Sequence, residues 1–468
     1  MSSAADAAEK APKLTITPLL KRLWPQPASE DVSASEIALA ISHIFTNSLT
    51  DVQTGALLTA LHFTGRDRQA DVIAKCAEAM RDAAAPVDEQ SLRAVIKRRG
   101  KKEGTYRGGL VRYYPPPPLP SFTPIPTLTN PPAHQCDIVG TGGDSHSTFN
   151  ISTTSSILAS SLLLVAKHGN RASTSKSGSA DLLSSTLPTA PVLSNAAPTT
   201  LSAIYAATNY AFLFAPVFHK GMKYVAHIRR QLGWRTIFNL LGPLANPVEA
   251  LVEARVVGVA RRDMGPAFAD ALRMSGARKA MVVCGEEDLD ELSCAGRTFC
   301  WRLVERANPA FRGRQAGEGD EVDGDEQGDE TSDDDAPPRT VVEVEAFTLS
   351  PEDFGLPPHP LSEVSPGKEP HENAAILMRL LRGEMASDDP IMHFVLINTA
   401  ALFVVSGVCE ADESSMGPGD DGKVIKERGP GGGRWKEGVR RARWAVESGA
   451  ALRQWDAFVE ATHAVEKQ

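Results

Sequence analysis

Cysteine is scarce in this chain of 468 residues: there are six, at positions 76, 136, 284, 294, 300 and 409. No two fall at a CxxC spacing, which excludes a zinc ribbon or a thioredoxin-type redox motif and leaves reduced thiols as the expectation. The stretch MSSAADAAEKAPK has no basic segment ahead of an apolar core, and it has no arginine. Neither a secretory signal nor a mitochondrial presequence is expected from it, and the cytoplasm is the expected compartment. Long apolar runs are also missing. The most apolar stretch, Ile391 to Val408, contains His393, Asn398, Thr399 and Ser406, so it reads as a buried core helix and no membrane span is expected. Positive charge is not in excess. The formal net charge is −9, and the run from Glu318 to Asp335 alone carries eleven acids and no bases. The rest of the chain is therefore close to neutral, and no nucleic-acid partner is expected, because such a partner calls for a basic domain. What is there is an ordinary globular composition, 42% hydrophobic and 23% charged. It is long enough for about two or three domains and a core that needs no disulfides.

Apolar residues recur at helical spacing in SEIALAISHIF and DVIAKCAEAM, and Asp51 and Thr54 flank a helix start before GALLTALHF. Residues 14–93 therefore read as a small helical domain. Residues 94–134 read as an insertion: KRRGKK leads into a segment in which nine of the eighteen residues 115–132 are proline. Beyond it, CDIVG, SLLLVAK, YAFLF, ARVVGVA, KAMVVCG, TFCWRLV and TVVEVEAF look like strands, with helical patterns such as MKYVAHIRRQL between several of them. That alternation predicts an α/β fold with a mostly parallel sheet over 135–216 and 248–465. The acidic segment 313–338 and the Gly-rich segment 411–433 read as disordered insertions, because neither can bury enough apolar surface. The C-terminal third reads as helices over ENAAILMRLL, MHFVLINTAALFVVSGV and GVRRARWAVESGAALRQWDAFVEAT.

Four segments carry chemistry. In DIVGTGGDSHSTFNISTTSSI a strand gives way to glycines, hydroxyls and a helix start, an arrangement suited to an anion. Alone it is equally a structural turn, and it matches neither GxGxxG nor the Walker pattern. VAKHGNRASTSKSGSADLL places Lys167, His168, Asn170, Arg171 and Lys176 at a strand's end, which suits a polyanion. GEEDLDELS offers adjacent carboxylates after another strand, able to hold Mg²⁺ with help from substrate phosphate. FHKGMKYVAHIRRQLGWRTIFNLLGPLANP supplies a basic helix closed by Pro243 and Pro247. Each segment has a bland reading, as turn, solvated loop or surface charge. Jointly they point to chemistry on a phosphorylated substrate with Mg²⁺.

GTGGD followed by Asn150-Ile151-Ser152-Thr153, KHGNR with SGSAD, RTIFNLLGPLANP and the Asp290-Glu291 pair occur in the order that resembles anthranilate phosphoribosyltransferases, across most of the chain outside the insertions. The resemblance implies a small helical domain joined to a larger α/β domain, with the active site in the cleft between them, and a homodimer. It implies transfer of a phosphoribosyl group from 5-phosphoribosyl 1-pyrophosphate (PRPP) to the amine of anthranilate, in tryptophan biosynthesis. The segment of about 217–247 is then expected to pack on the helical domain. By the same resemblance, Gly140, Gly143, Asp144, Thr148, Asn150, Ile151, Ser152, Thr153, Lys167 and Ser179 hold PRPP. Gly140, Asn170, Arg229, His168, His219 and Pro243 serve anthranilate. Ser152, Asp290 and Glu291 bind Mg²⁺, with two ions implied. No single catalytic base is implied, since a neutral aromatic amine is already nucleophilic. Three positions depart from the usual pattern: Ser145 stands where many members have glycine, Thr174-Ser175 where they have Ser-Gly, and Asp288 precedes Leu289 where they have glycine. Two rival readings are a pyrimidine-nucleoside phosphorylase and a catalytically silent nucleic-acid-binding relative; the KHGN loop and Arg229 disfavour the first, and the intact Asp290-Glu291 pair the second.

Overall fold

The computed structural model describes residues 13–24, 31–99, 135–142, 144, 146, 148–172, 176–308, 340–364 and 368–465. Gly143, Ser145, Thr174-Ser175, the acidic segment 313–338 and all but the first residues of the 94–134 insertion lie outside them. Seven strands form one sheet: β1 (Gln135–Gly140), β2 (Val165–Gly169), β3 (Tyr210–Phe214), β4 (Val252–Gly258), β5 (Lys279–Gly285), β6 (Thr298–Ala307) and β7 (Thr340–Leu349). Their spatial order is β3-β2-β1-β4-β5-β6-β7. The first five pair in parallel, and β6 and β7 add antiparallel.

The parallel strands β1 to β5 are buried on both faces, which is why they are nearly continuous apolar runs, while β6 and β7 are partly exposed. Alternation along each strand sorts their side chains between two cores. Val256, Met281 and Val283 join the core built with the helices Ile151–Ala159, Pro390–Ser406, Trp435–Glu447 and Ala450–Ala464. Val257, Ala280 and Val282 join the other core, with the N-terminal helices Ala34–Phe45, Asp51–Thr64 and Ala70–Asp82 and with Val225, Ile237, Phe238 and Leu241. The helical domain therefore packs over one face of the sheet through the helix Met264–Met274, whose Phe268, Ala271 and Leu272 share this core. Ser33 and Glu36 form a capping box that starts the first of these three helices. Thr50, not Asp51 or Thr54, caps the second.

Several boundaries differ from the sequence reading. The helix Glu89–Arg99 crosses the expected limit at 93, and its Leu92, Val95 and Ile96 enter the α/β core. Periodicity marks a helix but does not say which core receives its apolar face. β2 begins at Val165, four residues into SLLLVAK, because Leu162, Leu163 and Leu164 are buried in the turn before it. The last helical stretch is two helices, broken where Gly449 adopts a φ of 69°.

The Gly-rich segment 411–433, expected to be disordered, is instead a packed loop. Asp420 accepts from Ser414 Oγ at 2.7 Å and from the Met416 N–H at 2.8 Å, and it pairs with Arg440 at 2.9 Å. Trp444 Nε1 donates to Pro418 O at 3.0 Å, and the Ile425 N–H donates to buried Glu437 at 2.9 Å. Composition missed this order because Glu437, Arg440 and Trp444, which hold the loop from outside, come from the following helix Trp435–Glu447. Among the described residues, no helix is long and apolar enough to cross a membrane.

Candidate active site

The strand order turns back between β1 and β4, and in open α/β sheets a ligand sits beyond the carboxyl ends of the strands at such a switch point. A cleft of about 650 Å³ opens there. β1 ends in Gly140, and the helix Ile151–Ala159 then starts at the cleft. Thr148, Asn150, Ser152 and Thr153 line this wall. Thr153 Oγ donates to Ser179 Oγ at 2.8 Å, and Asn150 Nδ2 donates to Ser177 O at 2.9 Å, tying the helix start to the loop after β2. The end of β2 brings Lys167 and His168 to the cleft, and the segment after it brings Asn170 and Ser179.

Lys167 is fully buried. Burial lowers its pKa, and the carboxylates of Asp137, Glu291 and Asp290 act against that. Asp137 lies beneath the cleft on β1, where Asn246 Nδ2 donates to it at 3.0 Å. Burial also lowers the pKa of His168, with neighbouring His219 adding to the effect, so the ring is neutral. Its Nδ1 lies 3.2 Å from Gly242 O, which can only accept, so Nδ1 carries the proton. Nε2 is then an acceptor, and no partner reaches it among the described residues.

The loop after β5 supplies the opposite charge. It crosses the end of β4 and delivers Asp290 and Glu291 against the Gly-rich loop. Burial, then the adjacent Asp144 carboxylate, push Asp290 up to about 7. Burial and then Asp290 and Asp144 raise Glu291 well above the usual carboxylate range. Glu291 Oε1 accepts from the Ser152 N–H at 3.3 Å, while no donor reaches Oε2 among the described residues. Among those residues no three His, Cys, Asp or Glu side chains form a ready-made metal cage. Buried Asp290 beside half-buried Glu291, with one carboxylate oxygen unpartnered, fits a hard divalent cation that draws its remaining ligands from substrate and water.

Two glycines make this crossing possible. A Cβ on Gly140 would lie 2.4 Å from Asp290 Oδ2, and one on Gly258 would lie 1.6 Å from the Asp290 carbonyl oxygen. We expect Gly258→Ala to displace the Asp290 turn, because its own strand is locked in the sheet, at a cost of about 1–3 kcal/mol or more. Thermal unfolding and turnover should both fall; a variant with wild-type values for both would rule out the close approach. Asp288 has a φ of 60°, the region that glycine enters freely and aspartate tolerates. The substitution for the usual glycine there leaves the turn intact.

The third side of the cleft comes from the segment after the helix Lys223–Leu232. Arg235 Nη1 donates to Gly142 O at 2.6 Å, and Asn239 faces the cavity. Gly140, Asp144, Thr148, Asn150, Ser152, Thr153, Lys167, His168, Asn170, Ser179, Asp290 and Glu291 thus meet in one cleft. Four residues named from the sequence are not on its wall. The Ile151 side chain is fully buried in the core beneath it. Arg229 donates to Asn239 Oδ1 at 3.1 Å and lies over the Phe238 ring, one residue behind the wall. His219 is buried, its Nε2 2.9 Å from Ala245 O, and Pro243 is buried two residues before Ala245. Arg235, Asn239 and His146, by contrast, line the cleft unforeseen. All three lie inside the quoted segments, but nothing in residue type or spacing separates them from their neighbours.

Comparison with known proteins agrees with this architecture. Residues 133–311 and 330–452 match the glycosyl transferase family a/b domain, and residues 17–84 match the helical bundle domain of the glycosyl transferase family. The anthranilate phosphoribosyltransferase of Schizosaccharomyces pombe is 40% identical over 337 residues, 72% of this chain and 77% of that protein. The structure of the Saccharomyces cerevisiae anthranilate phosphoribosyltransferase in complex with PRPP and Mg is similar, with a TM-score of 0.67 and 27% identity, over 95% of this chain and 97% of that one. The same yeast enzyme in complex with 4-fluoroanthranilate gives a TM-score of 0.65 and 26% identity over the same shares.

Proposed function

The chain belongs to the anthranilate phosphoribosyltransferase family, and we propose that its cleft joins anthranilate to the phosphoribosyl group of PRPP in tryptophan biosynthesis. The observation that carries this reading is the convergence, in one cleft, of a helix N-terminus, buried Lys167 and the Asp290-Glu291 pair. The yeast structure with PRPP and Mg supports Mg²⁺ as the cofactor, and the two carboxylates with Ser152 are the residues that would hold it, as two ions. When bound, Mg²⁺ neutralises the negative charge that grows on the departing pyrophosphate.

The chain's own groups have distinct tasks. Gly140, Gly143, Asp144, Thr148 and the 150–153 helix start cradle PRPP, with Ser179 held by Thr153. Lys167 brings a fixed positive charge to the leaving group, in a site where little water screens it. As the bond from the anomeric carbon to pyrophosphate breaks, the ring gains oxocarbenium character. The anthranilate nitrogen then bonds to that carbon and sheds a proton. Neutral His168 offers its unpaired Nε2 to an amine N–H, beside Asn170. Arg229 takes the anthranilate carboxylate in fork geometry after releasing Asn239, and His219 and Pro243 back this side of the cleft. Positioning supplies much of the rate, with about 7–11 kcal/mol as the upper scale for ideal orientation.

The homodimer reading is supported by the exposed Trp24, Leu39, Val52 and Phe63 on the helical domain. The cytoplasmic reading is supported by six cysteines that are all buried and unpaired. The fluorescence of anthranilate tests the reaction: its loss should require both PRPP and Mg²⁺. A folded protein that leaves anthranilate untouched would overturn the proposal.

A further inference from the structure

The turn that presents Asp290 and Glu291 belongs to no helix or strand, so something else must fix it. At its base, the Gly285 N–H donates to Leu289 O at 2.8 Å and the Glu286 N–H donates to Arg297 O at 2.8 Å. At its far side, one side chain takes both backbone groups of Leu292. Asn398 Oδ1 accepts from the Leu292 N–H at 3.1 Å, and Asn398 Nδ2 donates to Leu292 O at 3.1 Å. The same Nδ2 donates to Phe394 O at 3.1 Å. Asn398 is 2% exposed, in the middle of the apolar helix Pro390–Ser406. A buried amide there is costly unless its donors and acceptor are satisfied, and here the Leu292 backbone satisfies them. The same helix also holds the other half of the site: Val395 O accepts from Ser155 Oγ at 3.2 Å, on the helix that carries Ser152. The long helix thus sets the spacing between the helix start and the two carboxylates.

We propose that Asn398 is a positioning residue, which clamps the Leu292 backbone so that Asp290 and Glu291 meet the PRPP–Mg²⁺ complex in register. This rests on the reading of the cleft as a PRPP site. The test uses Asn398→Ala and Asn398→Asp in the full chain, with Val404→Ala, buried on the same helix, as a control for lost stability. Calorimetry of PRPP in the presence of Mg²⁺ should show roughly 10-fold or greater weakening in Asn398→Ala, the scale of an unmade buried hydrogen bond. The Mg²⁺ concentration needed for half-maximal rate should rise with it, and the anthranilate KM should stay near wild type. Asn398→Asp, which keeps the acceptor but loses the amide donor, should fall between. PRPP binding unchanged in a folded variant, or weakened equally in Val404→Ala, would overturn the proposal. So would failure of both Asn398 variants to fold, which would make the residue purely structural. A wild-type chain that binds PRPP with Mg²⁺ but consumes no anthranilate would sink the reaction reading and leave this clamp standing, because the clamp is read from binding.

Discussion

Asp290→Asn combined with Glu291→Gln is expected to remove about 1,000-fold or more of turnover, since even one group aimed at developing charge is worth ~10²–10³ in rate. Burial and then Asp144 push Asp290 up, and burial, Asp290 and Asp144 push Glu291 up. Such an arrangement disfavours the two charged carboxylates in the empty protein, and a bound cation relieves it. The amides keep the geometry, because an amide oxygen can still accept from the Gly142 and Ser152 N–H groups that now serve Asp290 and Glu291. Stability should therefore move the opposite way to activity: removing repelling acids from a buried site leaves the unfolding temperature unchanged or raised. Initial rates across a Mg²⁺ series, set beside thermal denaturation, measure both. Turnover within about tenfold of wild type at limiting Mg²⁺ would reject the metal role for both residues.

Lys167→Met should lower kcat/KM for PRPP by roughly 100-fold or more, on the same scale of electrostatic stabilisation. The anthranilate KM should change far less. Lys167 is also the main positive charge facing buried Asp137. Deleting it leaves that buried carboxylate only Arg255 and the Asn246 amide, a loss that costs about 1–3 kcal/mol. Adding Asp137→Asn removes the orphaned charge while preserving an acceptor for Asn246 Nδ2. The double variant should regain most of the lost stability and none of the lost activity. If Asp137→Asn restored activity as well, the effect of Lys167 would be one of folding, and its assignment to the leaving group would fail.

The cleft was legible in the sequence to the extent that its chemistry is local. Gly140, Asn150, Ser152, Thr153, Lys167 and Ser179 sit in short segments whose glycines, hydroxyls and charges announce an anion site at a strand's end. Asp290 and Glu291 announced a metal in the same way. Arg235 and Asn239 did not stand out, because a basic residue beside Gly233-Trp234 and an amide inside FNLLGPL look like many others. Only packing of the 233–247 segment on the helical domain turns them toward the Gly-rich loop. Arg229 shows the converse. Its residue type suits a carboxylate, yet in this conformation Asn239 takes its guanidinium. The 411–433 loop misled for a related reason: its own composition is that of a disordered segment, and the residues that order it, Glu437, Arg440 and Trp444, lie beyond it in the following helix.

By itself, then, the sequence determined the layers and the reagents. Apolar runs of strand length alternating with helices argue for a buried, mostly parallel sheet, and the charged motifs at strand ends, taken jointly, point to an anionic substrate with a cation. Both are properties of neighbouring residues. The tertiary structure decided the distances between motifs that the chain keeps far apart. Gly140 and Gly258 let the Asp290 turn cross the strand ends, and Asn398, about a hundred residues further on, holds that turn from behind. Close approach and hydrogen bonding act through space, and nothing in the local pattern of either segment records its partner.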